Sequence, residues 1–234
     1  MDFIAPLERT RLIRRYKRFL ADVERADGST LTVHCANPGS MLGLAEPGFG
    51  AFISDSGNPK RKLRHSLELI ETGDGTLVNI NTGAVNRLAE EAIRAGAVPS
   101  LTGFSSLKAE VAYGTGSRVD FLLTFPDQAP TYVEVKSVTL SRAPGLAEFP
   151  DSVTARGLKH LDELARVVAN GERAMMLFLV QRSDCTRFQA AGDLDPRYAA
   201  GLARAMEAGV EIVCLGCMID KGSIRVDAPI EIVA

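Results

Sequence analysis

The apolar positions of this chain change period near Asn81. Before it, hydrophobic residues come in short runs at 51–54, 67–71 and 77–81. These are separated by Pro38-Gly39, Pro47-Gly48, Ser56-Gly57-Asn58-Pro59 and Gly73-Asp74-Gly75. Short alternating runs closed by Gly- and Pro-rich turns predict a small β-barrel or sandwich. The first segment is ambiguous, because Leu12, Tyr16, Phe19, Leu20 and Val23 also fit helical spacing. The Asp27-Gly28 turn signal, with apolar runs on both sides, favours a hairpin. None of the Gly-rich turns follows a strand and opens a helix, so none is a phosphate loop.

After Asn81 the period becomes helical. Val85, Leu88, Ala89, Ala92 and Ile93 form one stripe, ended by Gly96 and Pro99. A strand follows at 107–113, then two more within 117–140, a loop at GLAEFPD, and a helix at 153–170 with Asp151 as candidate N-cap. In that helix Leu158, Leu161, Leu164, Ala165 and Val168 point inward, leaving Arg156, Lys159, His160 and Glu163 outside the stripe. The unbroken run AMMLFLVQ at 174–181 suits a strand covered on both faces. A helix at 196–208 and a last strand at 210–215 complete an α-β-β-β-α-β-α-β order, which predicts a mixed α/β domain with helices on a central sheet. The expected domains are residues 1–82 and 83–234.

The stretch SRVDFLLTFPDQAPTYVEVKSVTL carries the candidate chemistry. Two alternating strands flank a Pro126-Asp127 turn. Pairing them about Gln128 sets Asp120 opposite Lys136, with Glu134 diagonal to Asp120, and leaves the odd-numbered apolar residues to fill the other face. Two carboxylates and a lysine on one face suit a divalent cation, because Mg²⁺ takes one or two carboxylates and leaves its other positions to water and phosphate. Lys136 would then orient the attacking water or offset phosphate charge. A solvated strand face with a cross-strand ion pair explains the same pattern. The helix before it offers Glu90 and Glu91 as further acids, equally far from the apolar stripe, and the preceding strand offers Glu110.

Composition narrows this only a little. The 234 residues are 46% hydrophobic and 24% charged, with a net charge of −2, ordinary for a globular protein and no sign of wholesale polyanion binding. The basic residues are nevertheless bunched: Arg14, Arg15, Lys17 and Arg18 in one cluster, Arg61, Lys62 and Arg64 in another, with Arg156, Lys159 and His160 on the later helix. These are candidate nucleic-acid contacts, and a solvated basic face is the other reading. No signal peptide or membrane span is recognisable, so a cytoplasmic protein is expected. Cys214 and Cys217 form a C-x-x-C without two further nearby ligands, which reads as structural thiols.

The blocks RYKRFLADV, HCANPGSM, RKLRHSLEL, SRVDFLL, EVKSVTL and FPDSVTARGLKHLDEL resemble those of the sugar fermentation stimulation protein A family, and the Asp120, Glu134-Val-Lys136 order resembles a PD-(D/E)XK nuclease core. The resemblance covers most of the chain. It departs from the literal nuclease signature in that Val119, not proline, precedes Asp120. It implies an OB-fold-like N-terminal barrel followed by a nuclease-like α/β domain with a central mixed sheet, and a DNA-binding function. It further implies Asp120, Glu134 and Glu91 as metal ligands, Lys136 as the catalytic lysine, and Mg²⁺ or Mn²⁺ as cofactor. The functional expectation is Mg²⁺-dependent hydrolysis of phosphodiester bonds, with DNA as partner. The alternatives are a non-catalytic DNA-binding regulator of sugar (maltose) metabolism genes and a small-molecule metal enzyme using the same face.

Overall fold

The computed structural model describes residues 1–114 and 116–233. The N-terminal part contains strands β1 (Glu8–Tyr16), β2 (Leu20–Glu24), β3 (Thr30–Cys35), β4 (Gly50–Asp55), β5 (His65–Glu71) and β6 (Leu77–Asn79). The sheet order is β3-β2-β1-β4-β5-β6, and an added β3–β5 pairing closes it into a barrel. Leu12, Val23, Val33, Ile53, Leu67 and Ile70 fill its interior. The hairpin about Asp27 is present, with Leu20 paired to His34 and Glu24 to Thr30. Gly28 takes the positive φ of 80° that its turn requires. The ambiguous first segment is therefore two strands joined by a turn at 17–19, not a helix. Closure decides it, because β1 pairs with both β2 and β4 and a helix there would leave two barrel edges open.

The second part begins with α1 (Val85–Arg94) and continues β7 (Ser106–Tyr113), β8 (Ser117–Thr124), β9 (Thr131–Val138), β10 (Leu140–Ala143), β11 (Leu146–Phe149) and α2 (Ala155–Ala169). It ends with β12 (Arg173–Val180), β13 (Arg187–Ala190), α3 (Pro196–Glu207), β14 (Glu211–Ile219), β15 (Ile224–Pro229) and β16 (Glu231–Ile232). Six strands form the central sheet in the order β15-β14-β12-β9-β8-β7. Its β9–β12 and β12–β14 pairs are parallel and its outer pairs antiparallel, which is the mixed sheet expected. The α1 stripe packs on one face, while Leu161, Leu164, Tyr198 and Leu202 of α2 and α3 pack on the other. As its unbroken apolar run demands, β12 supplies Met175, Leu177 and Leu179 to the first core and Met176, Phe178 and Val180 to the second.

Phe52 and Leu69 of the barrel lie in the α1-side core, so barrel and sheet share apolar packing. Burying two such side chains is worth roughly 3–6 kcal/mol. Hydrogen bonds reinforce the seam, Asn79 Nδ2 donating to Gln181 Oε1 at 2.7 Å and the Met41 amide to Asp151 Oδ2 at 2.9 Å.

Several local expectations are corrected. GLAEFPD is not a loop: Leu146–Phe149 is β11, in a small sheet ordered β10-β11-β13-β16 that the order of elements did not foresee. The last stretch holds three strands rather than one. The N-cap of α2 is Thr154, which accepts from the Gly157 amide, while Asp151 is spent on the barrel seam. The hairpin pairs about Asp127 rather than Gln128, with Phe121 opposite Val133 and Leu123 opposite Thr131. Asp120 therefore points toward the level of Glu134, not Lys136. Parity survives, because moving the centre by one residue changes each partner by two.

Candidate active site

Strict alternation would put Val119, Phe121 and Leu123 on one face. Instead Phe121 and Leu123 are buried in the core under α1, and Val119 in the core under α2 and α3. The partner strand turns over at the same level: Leu107 packs with the first core and Val111 with the second. Between the pairs Ala109–Phe121 and Val111–Val119 stand Glu110 and Asp120, and Glu110 has a φ of 55°. A left-handed, non-glycine residue beside Asp120 is local strain of about 1–3 kcal/mol. The twist aims Asp120 at the seam of β8 and β9, where its Oδ2 accepts the Val135 amide at 2.7 Å. Its Oδ1 accepts from Asn86 Nδ2, on the first turn of α1, at 2.8 Å.

Glu134 projects from β9 beneath α2 and is 3% exposed. Its Oε1 accepts from Lys136 Nζ at 2.5 Å and is in contact with His160 Nδ1. His160, also 3% exposed, is bracketed by Lys136 Nζ at 3.4 Å and by Arg156 Nε, which donates to its Nε2 at 3.4 Å. Glu134 Oε2 is buried and has no hydrogen-bond partner among the described residues. Burial pushes Glu134 up, but the His160 hydrogen bond and the Lys136 charge outweigh it and hold the carboxyl below its ordinary value. Asp120 goes the other way. Burial and then the Glu134 charge raise it, against the Val135 amide, Asn86 and Lys136. The hydroxyls of Tyr113 and Tyr198 are pushed up by burial and then by the charge of Glu134.

The site thus holds two neighbouring carboxylates, one resisting ionisation and the other carrying a buried oxygen with nothing to accept from. That donor set fits a hard divalent cation, since carboxylate oxygens are its preferred ligands and its charge would relieve both conditions. Beside it, a cleft of about 430 Å³ is lined by Glu110, Ser117, Arg118, Arg156, Lys159 and His160.

The other candidate residues are dispersed. Glu91 does not join Asp120: it is half exposed and pairs with the Met1 amine at 2.8 Å, because the α1 stripe that faces the sheet turns it away. Glu90 pairs with Arg94, and the residue of α1 that reaches Asp120 is Asn86. Glu110 is exposed at the cleft edge. His160 and Glu163, expected on the outer face of their helix, are buried, since the stripe of α2 turned to the sheet runs through Gly157, His160, Leu161, Leu164 and Val167. Glu163 pairs with Lys159 at 3.7 Å.

Much of the basic clustering is structural. Arg14 pairs with Asp22 and Arg64 with Asp55. Arg15 donates to the carbonyls of Asn37, Gly39 and Ser40, and Arg18 to that of Pro38, which ties down that loop. Lys17, Arg61 and Lys62 remain exposed, Arg61 within 3.4 Å of Ser66 Oγ. Cys214 and Cys217 belong to opposite cores of the sheet, so they cannot share one ion. No helix among the described residues is long and apolar enough to cross a membrane.

Sequence reasoning overlooked Asn86, Tyr113 and Tyr198. The signal for Asn86 was its place at the start of NRLAEEAI, one turn before the acids; the tyrosines carried none.

Comparison with known proteins gives a consistent result. The family model for the SfsA N-terminal OB domain matches residues 13–80, and that for the sugar fermentation stimulation protein RE domain matches residues 83–223. A sugar fermentation stimulation protein homolog of Rhodospirillum centenum is 52% identical over 234 residues, covering 100% of both chains. One from Chelativorans sp. is 53% identical over 232 residues, covering 99% of each. The structure of Pyrococcus furiosus SfsA in complex with Ca²⁺ is similar with a TM-score of 0.90 at 29% identity, covering 100% of this chain and 98% of that one.

Proposed function

This chain belongs to the sugar fermentation stimulation protein family, and from that premise we propose that it is a DNA-binding, divalent-metal-dependent phosphodiesterase with its reaction centre at Asp120, Glu134 and Lys136. The observation that carries this reading is the buried, unpartnered Oε2 of Glu134 beside Asp120. Asp120 and Glu134 would hold Mg²⁺ or Mn²⁺, which supplies Lewis-acid stabilisation of the phosphate and an activated water. The Ca²⁺ in the Pyrococcus furiosus relative supports a hard-cation preference.

The remaining work falls to side chains of this chain. Lys136, ion-paired with Glu134 Oε1, would orient the water and donate to the charge that builds on the phosphate. His160 positions Glu134 and makes no phosphate contact of its own, since Nδ1 is committed to Glu134 and Nε2 to Arg156. Arg118, Arg156 and Lys159 around the 430 Å³ cleft are the cations that would grip the flanking phosphates. Asn86 fixes the rotamer of Asp120.

The test is incubation with labelled single- and double-stranded DNA and RNA in Mg²⁺ or Mn²⁺, beside Glu134→Gln and Lys136→Ala. Wild type is expected to cleave at least 10²-fold faster than either variant. Equal rates would refute the enzyme; binding that persists without cleavage would leave a nucleic-acid-binding protein that does not turn over.

A further inference from the structure

A second cavity of about 560 Å³ opens on the other side of the first turn of α1, in the size range of ligand pockets. The barrel contributes His34, Ser54, Arg61, Ser66 and Glu68, and the start of α1 contributes Arg87. Its floor is unusual chemically. Glu68 is a carboxylate only 8% exposed, and no cation pairs with it among the described residues. Two neutral donors hold it instead, Ser54 Oγ to Oε1 at 2.6 Å and Asn81 Nδ2 to Oε2 at 2.7 Å. Asn81 cannot swing away, because its own oxygen accepts from the Gly83 amide. Each carboxylate oxygen therefore keeps capacity for one further donor, and Glu68 lines the cavity, so the carboxylate offers an acceptor pair of the spacing that two parallel N–H donors require.

The walls carry two arginines beside Asp2 and Asp55, whose charges are met by Arg225 and Arg64. Arg87 is exposed and makes no hydrogen bond or ion pair among the described residues, and Arg61 has only the 3.4 Å contact with Ser66. The wholly exposed Ile4 offers an apolar surface at the mouth. A fixed acceptor pair on the floor with guanidinium groups at the walls matches a nucleotide: base edge inward, phosphate at the rim. Among bases, guanine presents two adjacent N–H donors, from N1 and N2; cytosine and adenine present an amino group beside a ring acceptor, and thymine a single N–H. The pocket also adjoins the reaction centre, because Arg87 follows Asn86, whose amide holds Asp120.

We propose that this cavity is a nucleotide subsite selecting guanine, with Glu68 reading N1–H and N2–H and with Arg61 and Arg87 taking the adjoining phosphates of a single strand. It deepens the proposed function, since it rests on the chain acting on nucleic acid, but it does not need turnover. The experiment is fluorescence anisotropy in EDTA, in a lithium buffer that disfavours quadruplexes, with fluorescein-labelled d(GT)6 and d(T)12. Wild type is expected to bind d(GT)6 about tenfold more tightly, within the range for one bidentate base contact. Glu68→Gln should erase that preference while leaving d(T)12 within about twofold, because it removes an acceptor and no phosphate contact. Arg87→Ala should weaken both oligonucleotides alike and reduce the salt slope by about one unit. As a control independent of folding, GMP should displace d(GT)6 from wild type at lower concentration than TMP.

Equal affinity of wild type for the two strands, a preference that survives Glu68→Gln, or equal competition by GMP and TMP would each overturn the proposal. Cleavage without guanine preference removes the subsite alone. Guanine preference without cleavage removes the enzyme alone.

Discussion

Asp120→Asn should make the metal-free protein more stable and the metal-loaded protein less so. The Asp120 carboxyl is raised above its ordinary 3.8, first by burial and then by the charge of Glu134. The folded state therefore holds that proton more tightly than the unfolded chain. Its advantage is complete below pH 3.8 and is lost as pH climbs through the raised value, so at neutral pH the ionised carboxylate is a net cost. Asparagine keeps the shape and removes the charge. Its Oδ1 can still accept the Val135 amide, and Asn86, with its amide turned over, can accept from the new NH₂.

Removing a resisted charge while keeping both hydrogen bonds should be worth about 1 kcal/mol, or roughly 2–4 °C in Tm for a chain of this size. Thermal melting in EDTA at pH 7 measures it. Mg²⁺ or Mn²⁺ at about 100 times Kd should then stabilise wild type by roughly 2.7 kcal/mol and leave the variant unmoved, reversing the order. A variant that melts lower than wild type in EDTA would refute the electrostatic reasoning. One that still gains stability from the metal would remove Asp120 from the ligand set.

Three further outcomes follow from other parts of the molecule. Gly114→Ala should lower the urea midpoint by the equivalent of about 2 kcal/mol or more, since Gly114 has a φ of 53° and a Cβ there would lie 2.9 Å from Glu163 Cδ; a change within about 0.5 kcal/mol would contradict it. The four cysteines are buried, with Cys214 and Cys217 pushed up to about 12 and Cys185 to about 11 by burial, so a thiol reagent at pH 8 should label them only after unfolding. The Arg142 hydrogen bonds hold Asp193 at about 2 and Glu148 below its ordinary value, stability that is present above the usual carboxylate range and lost as pH falls toward about 2. Arg142→Ala should flatten the fall in Tm between pH 5 and pH 2, and an unchanged slope would assign acid lability elsewhere.

The elements were legible wherever a local pattern was strong. The α1 stripe, the Asp27-Gly28 hairpin and the doubly buried β12 all form as their periodicity requires, because each depends on neighbours a few residues away. The short strands β11, β13 and β16 were not, since four residues or fewer carry no measurable period and they exist only by pairing with one another. The burial of His160 and Glu163 failed for a related reason: periodicity counts apolar residues, whereas these two polar side chains are buried by the packing of α2, His160 over Glu134 and Glu163 against Gly114.

Glu91 marks the boundary most clearly. From sequence alone Glu90 and Glu91 were equivalent, and which acid pointed to a metal depended on a helix docking angle that no local pattern encodes. The fold sends Glu91 to the chain's own amino terminus and brings Asn86 to Asp120 instead. By contrast, the shared face of Glu134 and Lys136 was determined by the chain itself, because Val133 and Val135 keep strict alternation along β9, whereas Asp120 sits where the alternation of β8 breaks. Only tertiary structure could decide how those residues meet: the turnover of β7 and β8 at Glu110 and Asp120, and the histidine brought from α2, set by long-range packing of two cores on one sheet.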